Sequence, residues 1–218
     1  MNWARLRPFP WLDTRARFVA GVAKGGSLLD LGSSDGETLG HFAELRPDLR
    51  LFSVDKEGAP EHYPPGCTFQ RADLERDRLP WPDRSMDAIT CLHVVEHLND
   101  LSLVLSETSR LLKPGGCFYI ETPHPKTVTL PSPPRASAGT VTLNFYDDPT
   151  HIRPVAMGGL ARLAVQAGFE TVDSGTSRNL IFAAAWPMYF FMPASRKKFT
   201  SCVHWLGWSA YLILRRRA

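Results

Sequence analysis

With 218 residues, 44% of them hydrophobic and 22% charged, the chain has the size and composition of one to one and a half globular domains. Those figures exclude collagen-like, disordered and coiled-coil classes. Four scattered cysteines, Cys67, Cys91, Cys117 and Cys202, exclude a secreted disulfide scaffold and lead us to expect reduced thiols.

The net charge of +3 is unevenly spread. Seven basic residues follow Asp173 and meet no acid, which leaves 18 basic against 22 acidic groups in residues 1–173. An acidic body speaks against nucleic acid as a partner. The stretch from Met1 to Pro8 lacks the apolar run of a signal peptide. A cytoplasmic protein is therefore expected.

In chain order, residues 1–24 read as an N-terminal extension. Ser27–Leu31 is a short apolar run ending at Gly32, the pattern of a buried strand. Gly36–Leu45 has helical character and stops before Pro47. Leu49–Val54, Cys67–Gln70 and Met86–Leu92 read as further strands. Asn99–Leu112 carries Leu101, Val104, Leu105, Leu111 and Leu112 at helical spacing, with Asn99 or Asp100 as the cap and Pro114-Gly115-Gly116 as the stop. Cys117–Glu121 is a fifth strand. Residues 123–150 hold six prolines and read as a lid. Pro154–Ala167 resumes as a helix, and Phe169–Val172 and Leu180–Ala185 supply two late strands. Such alternation predicts an α/β fold, a doubly wound and mostly parallel sheet of seven strands with helices on both faces. The expected domain spans 25–185, with 186–218 as an apolar and basic tail.

In such a sheet, ligands bind beyond the carboxyl ends of the strands. The first strand runs into Asp30-Leu31-Gly32-Ser33-Ser34-Asp35-Gly36, whose glycines allow a tight turn and whose following helix points amides at an anion. No Gly-Lys-Ser/Thr follows, so it is not a P-loop, and the three-glycine dinucleotide pattern is missing. Asp55 ends the second strand 19 residues past Gly36, where a carboxylate can accept both hydroxyls of a ribose. Ala72-Asp73-Leu74 and Leu111-Leu-Lys-Pro-Gly-Gly116 follow in order.

This succession resembles the class I S-adenosylmethionine-dependent methyltransferases, in particular a small bacterial group, over residues 25–185. The resemblance implies S-adenosylmethionine as cofactor. It implies that Asp30, Gly32, Ser33, Ser34 and Gly36 cradle the methionine part, and that Asp55, with Lys56 beside it, takes the ribose. It also implies that Ala72, Asp73 and Leu74 flank the adenine and that Leu92 and His93 close the site. The Ser33-Ser34 pair departs from the family pattern. Glu121-Thr-Pro-His124-Pro and Tyr146-Asp-Asp-Pro-Thr-His151-Ile-Arg153-Pro are similar to segments of methyltransferases from bacterial surface-polysaccharide clusters. Oxygen of a small molecule or glycan is accordingly the expected acceptor.

A hydroxyl acceptor must lose a proton, and histidine is suited to take it. His151, His97 and His124 are the candidate bases; the bland alternative is that Asp148, Thr150 and His151 cap the next helix. No resident metal is expected. The alternative is a metal-assisted enzyme, since His93-Val-Val-Glu96-His97 is similar to the Glu-x-x-Glu-His string with which some class I methyltransferases hold a divalent ion; His124 or His151 would then add a ligand. A non-catalytic cofactor-binding module is a further alternative.

The tail has its own signal. Leu180–Met192 is apolar and aromatic, and Cys202–Leu214 is a second apolar run of 13 residues. As a helix that run would be ~20 Å long, too short to span a bilayer. Arg196-Lys197-Lys198 and Arg215-Arg216-Arg217 bracket it. Peripheral contact with the inner face of a membrane is one expectation. Packing on the sheet, or a homodimer interface, is the other.

Overall fold

The computed structural model describes residues 2–132 and 143–218. Seven strands form one sheet: β1 (Ser27–Leu31), β2 (Arg50–Asp55), β3 (Thr68–Arg71), β4 (Met86–Leu92), β5 (Leu112–Pro123), β6 (Phe169–Ser177) and β7 (Ser209–Arg216). Their order is β3-β2-β1-β4-β5-β7-β6. The first five pair in parallel, and β7 enters antiparallel to both β5 and β6. The expected mostly parallel seven-stranded sheet is what forms.

Local chemistry explains the main elements. All five residues of β1 are buried, because helices cover both faces of the sheet. One apolar cluster gathers Leu29, Leu31, Ile89, Phe118 and Leu160; the other gathers Leu28, Leu39, Phe42, Val19 and Tyr119. Helix α1 (Thr14–Ala20) starts at Asp13, whose carboxylate accepts the Ala16 N–H. Helix α2 (Glu37–Leu45) follows Gly36, which has φ +73°. Helix α3 spans Ser102–Leu111, and Asp100 rather than Asn99 accepts the Ser102 N–H. Helix α4 (Met157–Gln166) ends before Gly168, at φ +89°.

Two elements differ from the sequence expectation. Leu180–Ala185 is not a strand but the start of helix α5 (Leu180–Phe190). The Asn179 side chain accepts the N–H groups of Ile181 and Phe182, and the Ala183-Ala184-Ala185 run favours helix. The apolar run Cys202–Leu214 is not one helix either. It finishes helix α6 (Arg196–Leu206), turns at Gly207 (φ +63°) and becomes β7. Residues 186–218 are thus no appended tail, because β7 is hydrogen-bonded on both sides within the sheet. Residues 1–24 are likewise tied in: Asp13 bridges to Asn179, and the Thr14 N–H donates to the Arg178 carbonyl at 3.0 Å. The middle of the expected lid, 133–142, lies outside the described residues.

Candidate functional site

The loops after β1, β2, β3 and β4 surround a cleft of about 670 Å³ at the carboxyl end of the sheet. Gly32 has φ +70°, and a Cβ there would collide with the Val94 side chain. The backbone therefore passes close under the loop that follows β4, as only glycine permits. Ser34 sits at φ +46° and stays there because its N–H donates to Asp55 Oδ2 at 2.8 Å. Asp55 Oδ1 accepts the Glu57 N–H, also at 2.8 Å. Two amides thus aim one carboxylate, and each oxygen keeps a lone pair for a diol. Asp73 accepts the Glu75 N–H at 3.0 Å and stands 3.5 Å from Lys56 Nζ. The Glu75 amide, followed by Lys56, holds its pKa below the usual carboxylate range.

Gly32, Ser34, Asp55, Lys56, Ala72, Asp73, Leu74 and His93 all line this cleft. Four residues expected beside them lie elsewhere. Asp30 is buried below the loop, where Thr90 Oγ1 donates to it at 2.6 Å. Burial raises its pKa to about 7, against the hydrogen bond from Thr90 and the charge of Arg15. Ser33 turns inward and donates to Tyr63 Oη at 3.0 Å. Gly36 packs under the His62 carbonyl. Leu92 joins the Leu28–Leu39 cluster on the other face of the sheet, because successive strand residues alternate sides.

Sequence reasoning did not find Tyr63 or Gly58. Tyr63 Oη donates to the Ser34 carbonyl at 3.1 Å and so braces the first loop. Gly58 lets Tyr63 and Phe69 close in, since a Cβ there would strike both rings. Nothing in the local pattern marks either residue.

A chain of charged side chains, with the buried carboxylates of Glu96 and Glu121 in it, ends at the cleft. His93, at φ +56°, places Nδ1 3.3 Å from Glu96 Oε1 and Nε2 3.3 Å from Glu121 Oε1. Arg15 grips Glu121 with two bonds of 2.6 and 3.0 Å, and Tyr119 Oη donates to the same carboxylate at 2.8 Å. Thr122 Oγ1 donates to Glu96 at 2.9 Å. Burial disfavours the imidazolium, but its bonds to Glu121 and Glu96 outweigh that and push His93 up to about 9. Burial would raise Glu121, yet Arg15 and His93 hold it well below the usual carboxylate range. Arg15 comes from α1, and sequence gave no sign that it would reach a residue 106 positions away.

The candidate bases separate. His97 lines the cleft and its ring lies 4.8 Å from that of His151. His97 Nδ1 is 3.1 Å from the Thr150 carbonyl, which can only accept, so Nδ1 carries the proton. The same reasoning applies to His151, whose Nδ1–H donates to the Phe145 carbonyl at 2.6 Å. Both rings in their neutral form then keep the Nε2 lone pair free. His151 does not cap α4, which has no side-chain cap. His124 stands apart: its Nδ1 accepts the Lys126 N–H and starts a short 3-10 turn. One ligand atom each from Glu96, His97 and His151 lie within 4.8 Å of one another, close enough to hold a metal ion; His124 is not in that group.

The cleft suits S-adenosylmethionine. Asp35, Asp55, Glu57, Asp73 and Glu75 line it against Lys56 and the His93 imidazolium, and this excess of carboxylates favours a ligand bearing sulfonium and ammonium charge. At the start of α2, Asp35 Oδ1 accepts the Glu37 N–H at 3.1 Å, and Gly36 offers no side chain to the amides that follow. The sheet order and this acidic cleft define a Rossmann-like methyltransferase domain of the S-adenosylmethionine-dependent class. A family model described as a methyltransferase domain matches residues 3–174, and the chain belongs to that family.

A Mycolicibacterium smegmatis protein named "Probable S-adenosylmethionine-dependent methyltransferase" is 32% identical over 155 residues, 69% of this chain and 54% of that protein. The ubiquinone/menaquinone C-methyltransferase UbiE of Desulfotalea psychrophila is 29% identical over 119 residues, 50% of this chain and 48% of its own. Other relatives are named for N- and O-methylation. The chain spans about half the length of the curated relatives it matches. In fold it is similar to an S-adenosylmethionine-dependent methyltransferase from Mesorhizobium loti, with TM-score 0.64 and 19% identity over 96% of this chain and 98% of that one.

Proposed function

We propose that the chain transfers the methyl group of S-adenosylmethionine to an oxygen of a small molecule or bacterial glycan. The observation that carries the choice of oxygen is the His97–His151 pair beside the cleft, with both Nδ1 atoms tied to backbone carbonyls. A hydroxyl is a poor nucleophile until its proton is taken. A carbon acceptor, of the kind implied by the UbiE name, is activated by its own conjugation instead.

When bound, the cofactor supplies an electrophilic methyl on sulfonium, which an acceptor oxygen displaces in line to leave S-adenosylhomocysteine. The residues of this chain provide the rest. Asp55 and Asp73 orient the nucleoside part. His93, fixed between Glu96 and Glu121, keeps a cation at the floor of the site without offering a base. His151 Nε2 takes the acceptor proton, and Asp148 Oδ2, 3.9 Å away, faces the resulting imidazolium. Much of the remaining acceleration comes from positioning.

The test is turnover to S-adenosylhomocysteine across a screen of nucleotide sugars and glycans. His151→Ala should lower turnover about 10²- to 10⁴-fold while cofactor affinity stays unchanged. Turnover near the wild-type rate would remove His151 from the mechanism, and no turnover with any acceptor would favour a binding module. A second reading is a metal-assisted enzyme. It rests on the Glu96, His97 and His151 group, a carboxylate and two imidazoles whose Nδ1 atoms are held by the Thr150 and Phe145 carbonyls, as ligand imidazoles commonly are. Activity abolished by a chelator and restored by a divalent ion would select it.

A further inference from the structure

Helices α5 and α6 form a hairpin between β6 and β7 that leaves the body of the protein at Asn179 and rejoins it at Gly207. From Leu180 to Phe190, α5 carries no charged side chain, yet Ala183 is its one buried residue. At the tip, Met188 is 61% exposed, Phe190 55% and Phe191 87%, with Met192 beside them. A water-soluble surface rarely gathers such residues without a partner for them. The tip is also ordered for contact. Lys198 Nζ donates to the carbonyls of Phe190 and Met192, each at 2.8 Å, and ties the end of α5 to α6. Trp186, Phe190 and Phe191 stack edge to face in series.

The charge around this patch has one sign. Residues 180–206 hold Arg196, Lys197 and Lys198 and no acid. Lys197 makes no ion pair among the described residues, and Arg196 is held only by an exposed contact of 3.2 Å to Glu37. Arg215, Arg216 and Arg217 do not share this face. Arg215 and Arg216 end the eight-residue strand β7 and Arg217 follows it, so they stand ~20 Å or more from Ser209, at the other end of the strand. The second apolar run is spent on β7, where Leu212 and Leu214 are buried. What remains exposed is an aromatic tip with basic residues immediately beside it.

We propose that the α5–α6 hairpin is a docking element for an anionic lipid bilayer. Phe190, Phe191, Met188 and Met192 enter the boundary between headgroups and acyl chains, and Arg196 and Lys197 face the lipid phosphates, while Lys198 holds the tip together. Charge complementarity selects this occupant. A second copy of the chain would set these basic clusters against each other, whereas an anionic surface neutralises them. No helix among the described residues is long and apolar enough to cross a membrane, so the contact is peripheral. A cavity of about 720 Å³ opens at the same place: Tyr189, Arg196 and Lys197 border it, and Arg15 and His204 lie within. A docked hairpin therefore brings this cavity to the lipid surface.

The experiment is co-sedimentation of the full chain with vesicles of phosphatidylcholine plus phosphatidylglycerol, and with phosphatidylcholine alone. The anionic vesicles should carry the chain down at low salt and release it as salt rises. Phe191→Asp should weaken partitioning roughly tenfold or more, and Lys197→Glu should remove most of the salt dependence. Phe191 is the most exposed of the large apolar residues at the tip, and thermal unfolding together with S-adenosylhomocysteine calorimetry should show both variants folded and cofactor-competent. A chain that stays in the supernatant at low salt, or pellets equally with neutral vesicles, overturns the proposal. So does a dimer in sedimentation equilibrium that Phe191→Asp dissociates, since the patch would then belong to a second copy. Cofactor binding without vesicle binding defeats the docking alone and leaves the methyl-transfer reading standing.

Discussion

Asp30→Asn should make the protein more stable above neutral pH, and the structure sets the size of the gain. The Asp30 carboxyl is 3% exposed, and burial raises its pKa from 3.8 to about 7. Between those two values the folded chain keeps a proton that the unfolded chain has released. Stability therefore falls as pH rises across this window, by about 1.4 kcal/mol per unit. The penalty is complete above pH 7 and amounts to at most about 4 kcal/mol. Asparagine removes the ionisation but keeps an oxygen to accept the Thr90 hydroxyl, so little else is lost. Urea unfolding of both proteins from pH 4 to pH 8 provides the measurement. The two curves should nearly coincide at pH 4 and separate steadily to pH 8, with the variant on top. An Asp30→Asn protein less stable than wild type at pH 8, or a gap that does not shrink towards pH 4, would refute the reasoning.

Two other substitutions probe the cleft. Asp55→Ala removes a carboxylate aimed by the Ser34 and Glu57 amides, and S-adenosylhomocysteine affinity should fall roughly 10- to 150-fold by calorimetry, with circular dichroism unchanged; unchanged affinity would take Asp55 out of the site. Gly32→Ala places a Cβ against Val94 at φ +70° and should cost about 1–3 kcal/mol of stability in thermal unfolding. Adding Val94→Ala should recover part of that loss, and no recovery would mean that φ alone is responsible.

How much of this was legible depended on range. Ser27–Leu31 with its glycine turn, the carboxylates Asp55 and Asp73, and helix α3 are written in local patterns, and the structure places them within three residues of where the sequence suggests. Leu180–Ala185 misleads because a short apolar run fits a buried strand or a helix equally well. The Asn179 cap decides it, through a side chain whose effect shows only once the backbone has turned. Cys202–Leu214 misleads differently: one uninterrupted apolar run hides the break at Gly207, where half the stretch becomes a strand between two others. Among the bases, His97 and His151 come from loops 54 positions apart and their rings meet beside the cleft, which His97 lines and the largely buried side chain of His151 does not, whereas His124 spends its ring on a turn.

The buried ion chain was invisible for a stronger reason, and its physics bears on function. Glu96 and Glu121 are buried carboxylates, and the partly exposed Arg15 and His93 bring two positive groups against them. Desolvating such groups costs several kcal/mol each, and their mutual attraction roughly repays it only when every lone pair is met. Here Tyr119, Thr122 and Ser209 supply the remaining partners. An apolar set of equal volume would hold this part of the sheet at least as well. Stability therefore gives no reason to build the chain, whereas its location does. Arg15 lines the cavity behind the α5–α6 hairpin, His93 lines the acidic cleft, and the single oxygen Glu121 Oε1 touches both.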